Sequence, residues 1–169
     1  MRKISLYGQD VLRKRCRPLD PESDRDLVGH LLSEMQLILQ EHDGLGLAGP
    51  QAGEPVRIFI AGADAGLPLG GHTVFINPEV LPSGPEIRGE EGCLSFPGVY
   101  ADISRSQNVR ITALDRNWKP FTLNLTGLAS RLVQHESDHL DGVLLIDRMG
   151  PLKRRLLRNR LRSIREESC

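Results

Sequence analysis

Two histidines four positions apart, His135 and His139 of the segment HESDH, constrain this chain more than any other feature. On a helix that spacing puts both rings on one face. Leu128 and Leu132 extend the same stripe, so the helix turns its imidazoles toward the interior of the fold. Paired imidazoles at this spacing grip one metal ion. Glu136, between them, is placed to work as general base on a metal-bound water or hydroxide. The plain alternative is two ordinary histidines on a core helix, and a third ligand decides between the two.

The long zinc signature HExxHxxGxxH is incomplete here, because Gly142 falls at its glycine but Leu145 stands at its third histidine. Asp141 and Asp147 are available as acidic ligands, but neither lies on a second helix, as a thermolysin-like site requires. A thiolate is the third choice. Cys93 is the only mid-chain cysteine and sits in a glycine-flanked loop 42 residues before His135. One cysteine with two histidines leaves a fourth position for water, the catalytic arrangement. A buried, inert thiol is the commoner fate of a cysteine; the nearby HESDH favours ligation.

The rest of the chain supplies the frame. At 169 residues it is long enough for one domain with its own core. Leu27, Leu31, Met35, Ile38 and Leu39 recur at helical spacing and predict a helix over 24–42, with Ser23 and Asp26 as a capping box and Gly44 as its stop. VRIFIAGA, TVFINPEVL, QNVRITALD and KPFTLNL read as strands, and GEEGCLSFPGVY (89–100) as a loop. A second helix is predicted over 127–140 with Gly142 at its end, and a last one after Pro151. Consecutive strands followed by helices make the fold α+β.

GLGLAGPQAG (44–53) spells GxGxxG, yet it follows a helix and opens nothing long, so it is no dinucleotide fingerprint. Pro50-Gln51 stands where a phosphate-binding loop needs Lys-Ser/Thr. Close backbone approach to a peptide-like ligand, with Gln51 as amide donor and acceptor, explains the loop better. His30, His42, His72 and Cys16 read as structural.

GLGLAGPQAG, EGCLS (91–95) and QHESDH (134–139), in that order, resemble the three signature motifs of peptide deformylases. DVLRKRCRPL (10–19), FINPEVL (75–81) and ITALDRNWKPF (111–121) extend the resemblance over nearly the whole chain. It implies antiparallel strands packed around a central HExxH helix, with N- and C-terminal helices. It implies hydrolysis of the formyl group from the N-terminal formyl-methionine of new polypeptides, with formate as second product. By the same resemblance Cys93, His135 and His139 hold one divalent metal per chain, natively favouring Fe(II), with Zn, Ni or Co accepted in purified protein. Glu136 handles the proton, and Gln51 with the backbone N–H of Leu94 stabilises the oxyanion. Leu45 and Gly46 align the substrate backbone, and Gly92, Leu128 and Leu132 match positions of the methionine pocket. Three residues depart from the pattern. Gly49 replaces a usual alanine, which loosens the loop through the unfolded state. Arg131 falls at an apolar pocket wall, where its stem packs while its head reaches solvent. Trp118 sits in a turn where glycine is commoner.

The net charge is zero, with 22 basic and 22 acidic residues, which argues against a uniformly basic nucleic-acid binder. The sum hides a division at residue 150. The tail, 151–169, holds seven basic and two acidic residues around an apolar stripe of Leu152, Leu156, Leu157, Leu161 and Ile164. It reads either as a helix docked on the body, 1–150, of one shared domain, or as contact with ribosomal RNA, which the resemblance also implies. Three sparse cysteines, no apolar run of membrane length and no secretory signal place the chain in a bacterial-type cytoplasm without membrane contact, and a monomer is expected. An organelle home after loss of a transit peptide stays open. The rival readings are a zinc endopeptidase and a catalytically weak, ribosome-associated relative.

Overall fold

β-Strand propensity in the middle of the chain resolves into one antiparallel sheet. In the computed structural model, which describes residues 3–68, 71 and 73–168, five strands lie side by side in chain order. They are β1 (Gly46–Ala48), β2 (Ile58–Ala61), β3 (Val74–Gly92), β4 (Tyr100–Leu114) and β5 (Pro120–Thr126). Helix α1 (Arg25–His42) precedes the sheet, and α2 (Gly127–Leu140) follows it. Then come α3 (Leu145–Arg148), α4 (Pro151–Leu156) and α5 (Arg158–Glu167).

Strand alternation explains how two helices share this sheet. Side chains on a strand point to opposite faces in turn. Phe59 and Ala61 of β2 join Phe75, Val109, Ile111, Leu132, Val133 and Leu140 in the cluster under α2. Their neighbours Ile58 and Ile60 join Val28, Leu31, Met35, Ile38 and Ile76 in the cluster under α1. All four β2 residues are therefore buried, which is why VRIFIAGA is apolar without alternation. A third cluster gathers Leu12, Phe96, Val99, Ile103, Leu145 and Ile164 beneath α5.

Several sequence expectations are corrected in detail. The N-cap of α1 is Asp24 rather than Ser23, whose hydroxyl turns to Asp20 instead. The left-handed residue that ends α1 is Asp43 (φ 50°), one position before Gly44. The stretch 89–100 is not all loop: β3 runs to Gly92 and β4 starts at Tyr100, leaving 93–99 as the connection. GLGLAGPQAG holds a short strand, β1, and a 3-10 turn over Gly49–Ala52, closed by Gly53 at φ 84°. The tail is two helices, not one, and its stripe divides. Ile164 is buried and Leu157 and Leu161 lean on the third cluster, whereas Leu152 and Leu156 are exposed. Gly142 takes the left-handed conformation (φ 71°) expected after α2.

Two departures gain a physical reason. Gly49 does not merely loosen its loop. A Cβ there would stand 2.8 Å from the Val56 carbonyl oxygen and 2.9 Å from that of Glu54, so the turn closes against backbone. Trp118 adopts φ 63° in the β4–β5 turn, where its N–H reaches the Asp115 carbonyl. Its ring packs on the cluster under α1, and that burial offsets the left-handed strain. Cys16 is buried as expected, which pushes its thiol up to about 11. His72 and Cys169 lie outside the described residues.

Candidate metal centre

Helix α2 carries its polar residues on the buried side. His135, Glu136 and His139 are all enclosed, beside Leu132, Val133 and Leu140. The β3–β4 connection brings Cys93 to them. One ligand atom each from Cys93, His135 and His139 lies within 4.8 Å of the others. Cys93 Sγ is 3.3 Å from His139 Nε2, and the two imidazole rings stand edge to face with centroids 5.1 Å apart. A soft thiolate and two imidazoles converging in a buried pocket fit one divalent ion.

A carboxylate behind the centre orients it. His135 Nδ1 meets Glu91 Oε2 at 3.0 Å, leaving its other nitrogen for the centre. Glu91 is itself gripped by Arg105, whose Nε and Nη2 reach its two oxygens at 2.9 and 3.0 Å. Arg105 also meets Asp138, which Arg148 holds from outside. Burial opposes a charge on Glu91, but its bonds to His135 and Arg105 win and hold it well below the usual carboxylate range. Burial also opposes a charge on His135, yet Cys93 and Glu91 raise its pKa well above the usual value. Burial and the neighbouring cations keep His139 well below it.

Glu136 has the opposite environment. Burial pushes it up to about 7, and Oε2 has no hydrogen-bond partner among the described residues. A buried carboxylate oxygen aimed at nothing marks a place for water or a reacting group. A Cβ on Gly46 would stand 2.6 Å from Glu136 Oε1 and 2.9 Å from Leu132 Cδ1. The glycine thus lets α2 seat this carboxylate against β1.

Gln51, expected as an amide in a loop, is buried in the 3-10 turn. Its Oε1 accepts the Ala48 N–H at 2.9 Å, so Nε2 must face the centre, donating to Ser95 Oγ at 3.1 Å and toward Cys93 Sγ at 3.5 Å. A cavity of about 590 Å³ opens here. Cys93, His135, Glu136, Gln51 and Leu94 line it, as do Leu45, Gly46, Gly92, Leu128, Arg131 and Leu132. His139 lies buried behind them. β1 is an outer strand of the sheet and among the described residues pairs only with β2, so its second edge takes no ladder from another strand. His42 and Asp43 stand at the cavity rim.

One placement is corrected. The Arg131 guanidinium is not simply a solvated head: it bonds Glu91 and the carbonyl oxygens of Ile87, Gly89 and Ile103, with its side chain still 16% exposed. Sequence reading also passed over Glu91, Arg105, Asp138 and Arg148. A signal for Arg105 was present. It follows Ala101 and Ile103 on the inward face of β4, and a lone cation there demands a buried carboxylate.

The sequence matches the profile of the polypeptide deformylase family over residues 1–155. It is 43% identical over 147 residues to peptide deformylase 1 of Clostridium perfringens, covering 87% of this chain and 97% of that one. It is 41% identical over 165 residues to the peptide deformylase of Thermotoga maritima, covering 97% and 96%. The crystal structure of peptide deformylase from Thermus thermophilus superposes with a TM-score of 0.87 at 32% identity, covering 100% of both chains. The inhibitor complex of Plasmodium falciparum peptide deformylase gives 0.83 at 32% identity, covering 96% of this chain and 98% of that one.

Proposed function

Because the chain belongs to the polypeptide deformylase family, metal-dependent hydrolases that remove the N-terminal formyl group from nascent peptides, we propose how its own residues divide that work. The observation that carries the reading is the buried Glu136 carboxylate, whose Oε2 has no hydrogen-bond partner among the described residues, beside Cys93, His135 and His139. Those three residues would hold one divalent ion, Fe(II) in the cell, with Zn, Ni or Co accepted by the same donors. When bound, the ion supplies a Lewis acid that brings the pKa of water toward neutrality.

Glu136 takes a proton from the attacking water as its oxygen bonds to the formyl carbon. The developing oxyanion needs donors already in place, and Gln51 Nε2 with the Leu94 N–H supplies them. Ala48 locks the Gln51 amide in the donating orientation. Glu136 then passes its proton to the leaving amine as the C–N bond breaks, releasing formate and a free N-terminus. The unpaired edge at Leu45 and the start of β1, Gly46, pairs with the substrate backbone as an added strand. Gly92, Leu128, Leu132 and the stem of Arg131 shape the pocket for the methionine side chain.

The enzyme works as a monomer in a bacterial-type cytoplasm, and the basic tail, with its helices α4 and α5, docks as part of the same domain as the body, 1–150. Lys153, Arg154, Arg155 and Arg158 are exposed, which suits sequence-independent contact with ribosomal RNA. No helix among the described residues is long and apolar enough to cross a membrane.

Formate and free amine released from a formyl-methionyl peptide test the reaction, beside an unformylated peptide with internal bonds only. Release from the first and none from the second is expected; cleavage of the second supports an endopeptidase instead. Ribosome binding that weakens with salt, and fails in an Arg154→Glu, Arg155→Glu, Arg158→Glu variant, supports docking. Equal binding by the variant contradicts it. Charge reversal is the cleaner probe, since deleting the tail would strip Ile164 from the third cluster.

A further inference from the structure

Arg131 lies one turn before His135 on α2 and faces the metal ligand's partner rather than the ligand itself. Its Nη1 donates to Glu91 Oε1 at 2.7 Å, to the Ile103 carbonyl at 2.8 Å and weakly to that of Gly89 at 3.4 Å. Its Nη2 donates to the Ile87 carbonyl at 2.6 Å. Gly89 and Ile103 are paired across β3 and β4, so the guanidinium lies over that rung of the sheet. A Cβ on Gly89 would stand 3.0 Å from Nη2, 3.1 Å from Cζ and 3.2 Å from Nε. The missing side chain at 89 is what gives the planar group its seat.

The other end of the arrangement is the centre. Glu91 offers two oxygens, and three side chains share them: Arg105, Arg131 and His135. Arg105 grips the carboxylate bidentately. Arg131 adds a bond to Oε1, while Oε2 bonds His135 Nδ1. The carboxylate therefore turns neither way without losing a charge-assisted bond. Arg131 also lines the cavity, and with its head committed to sheet and carboxylate the stem is the part free to serve as wall.

We propose that Arg131 is a positioning residue for the metal centre: its guanidinium, seated on Gly89, locks Glu91 against His135, while its stem forms a wall of the substrate pocket. One side chain thereby ties the shape of the pocket to the aim of a ligand. The proposal rests on the metal reading of Cys93, His135 and His139, and its test is built to fail separately from the reaction.

The variants are Arg131→Met, which keeps a stem-like wall; Arg131→Lys, which restores one donor group; and Gly89→Val, which keeps the arginine but fills its seat. Each is loaded with zinc for chelator competition and with cobalt for its thiolate and ligand-field absorption, with circular dichroism to verify folding. Losing an orienting partner of this kind costs about 10- to 100-fold in metal affinity or activity. Arg131→Met and Gly89→Val are expected to release zinc to the chelator at least about ten-fold more readily and to shift the cobalt bands, with Arg131→Lys between them and wild type. With a formyl-methionyl peptide, Arg131→Met is expected to lower kcat while KM stays near wild type. Wild-type zinc affinity and cobalt spectra in Arg131→Met and Gly89→Val overturn the proposal, as does a change in KM alone. If Arg131→Met does not fold, Gly89→Val and Arg131→Lys decide by the same readouts. If wild type releases no formate, the deformylation reading fails while the metal comparison still judges Arg131.

Discussion

Helices α1 and α2 press on opposite faces of the same sheet, and they spend their inward positions differently. The buried residues of α1 are Val28, Leu31, Leu32, Met35, Ile38 and Leu39, apolar without exception. On α2 the buried positions include Ser130, His135, Glu136 and His139 among the aliphatic ones. Each apolar residue of α1 contributes on the order of 1.5–3 kcal/mol by leaving water. Glu136 does the reverse, since burial without a partner disfavours its charged form and lifts it to about 7. A polar group kept at a core position against that cost is kept for chemistry. The fold is held by α1, the sheet and the apolar half of α2.

Breaking the comparison on the α2 side has the largest expected effect. Glu136→Ala removes the proton acceptor and is expected to lower kcat by about 10²- to 10⁴-fold, read as formate release. On the α1 side, Leu31→Ala opens a cavity at a residue with no exposure. It is expected to cost about 2.7–5 kcal/mol in urea unfolding and to leave turnover per folded molecule unchanged.

A pH series sharpens the contrast. Glu136 is raised from the usual 4.5 to about 7, so between those values the folded, metal-free chain holds a proton that the unfolded chain has released. The stability tied to that proton is fully present below pH 4.5 and is lost as pH rises through about 7. Metal-free Glu136→Gln removes the titration. It is expected to exceed metal-free wild type by roughly 3 kcal/mol at pH 8, with the gap closing toward acid, by thermal unfolding at several pH values. No such gap at pH 8 would place Glu136 in a wetter site than the structure gives it. The smallest effect belongs to the tail: Leu156→Gln, at an exposed position, is expected to stay within about 0.5 kcal/mol of wild type.

The same contrast explains what was legible in the sequence. Period and punctuation revealed both helices, and the bounds of α2 coincide with those expected. The chemistry was legible because His135, Glu136 and His139 sit together in one short segment, with EGCLS and GLGLAGPQAG as companions. The length of β3 was not, because Asn77, Gly84 and the prolines beside them look like breaks. In the structure they make irregularities in a ladder that continues to Gly92. Asn77 even works in its left-handed conformation, bonding both the N–H and the carbonyl of Leu19 at 2.8 Å. The support of the centre was illegible for another reason. Glu91, Arg105, Arg131 and Asp138 come from two strands and a helix, and only tertiary packing sets them around one another. The acceptors of the Arg131 head were hidden because they lie more than 25 positions away on other strands.

The most direct test measures two properties on the same samples of wild type and Glu136→Ala: formate released from a formyl-methionyl peptide per bound metal ion, and the unfolding midpoint. If α2 gives its buried polar positions to chemistry, the variant keeps its metal, unfolds no earlier than wild type and loses at least about 100-fold in kcat. A variant that releases formate at the wild-type rate, or one that loses fold and metal together with activity, contradicts that division between the two helices.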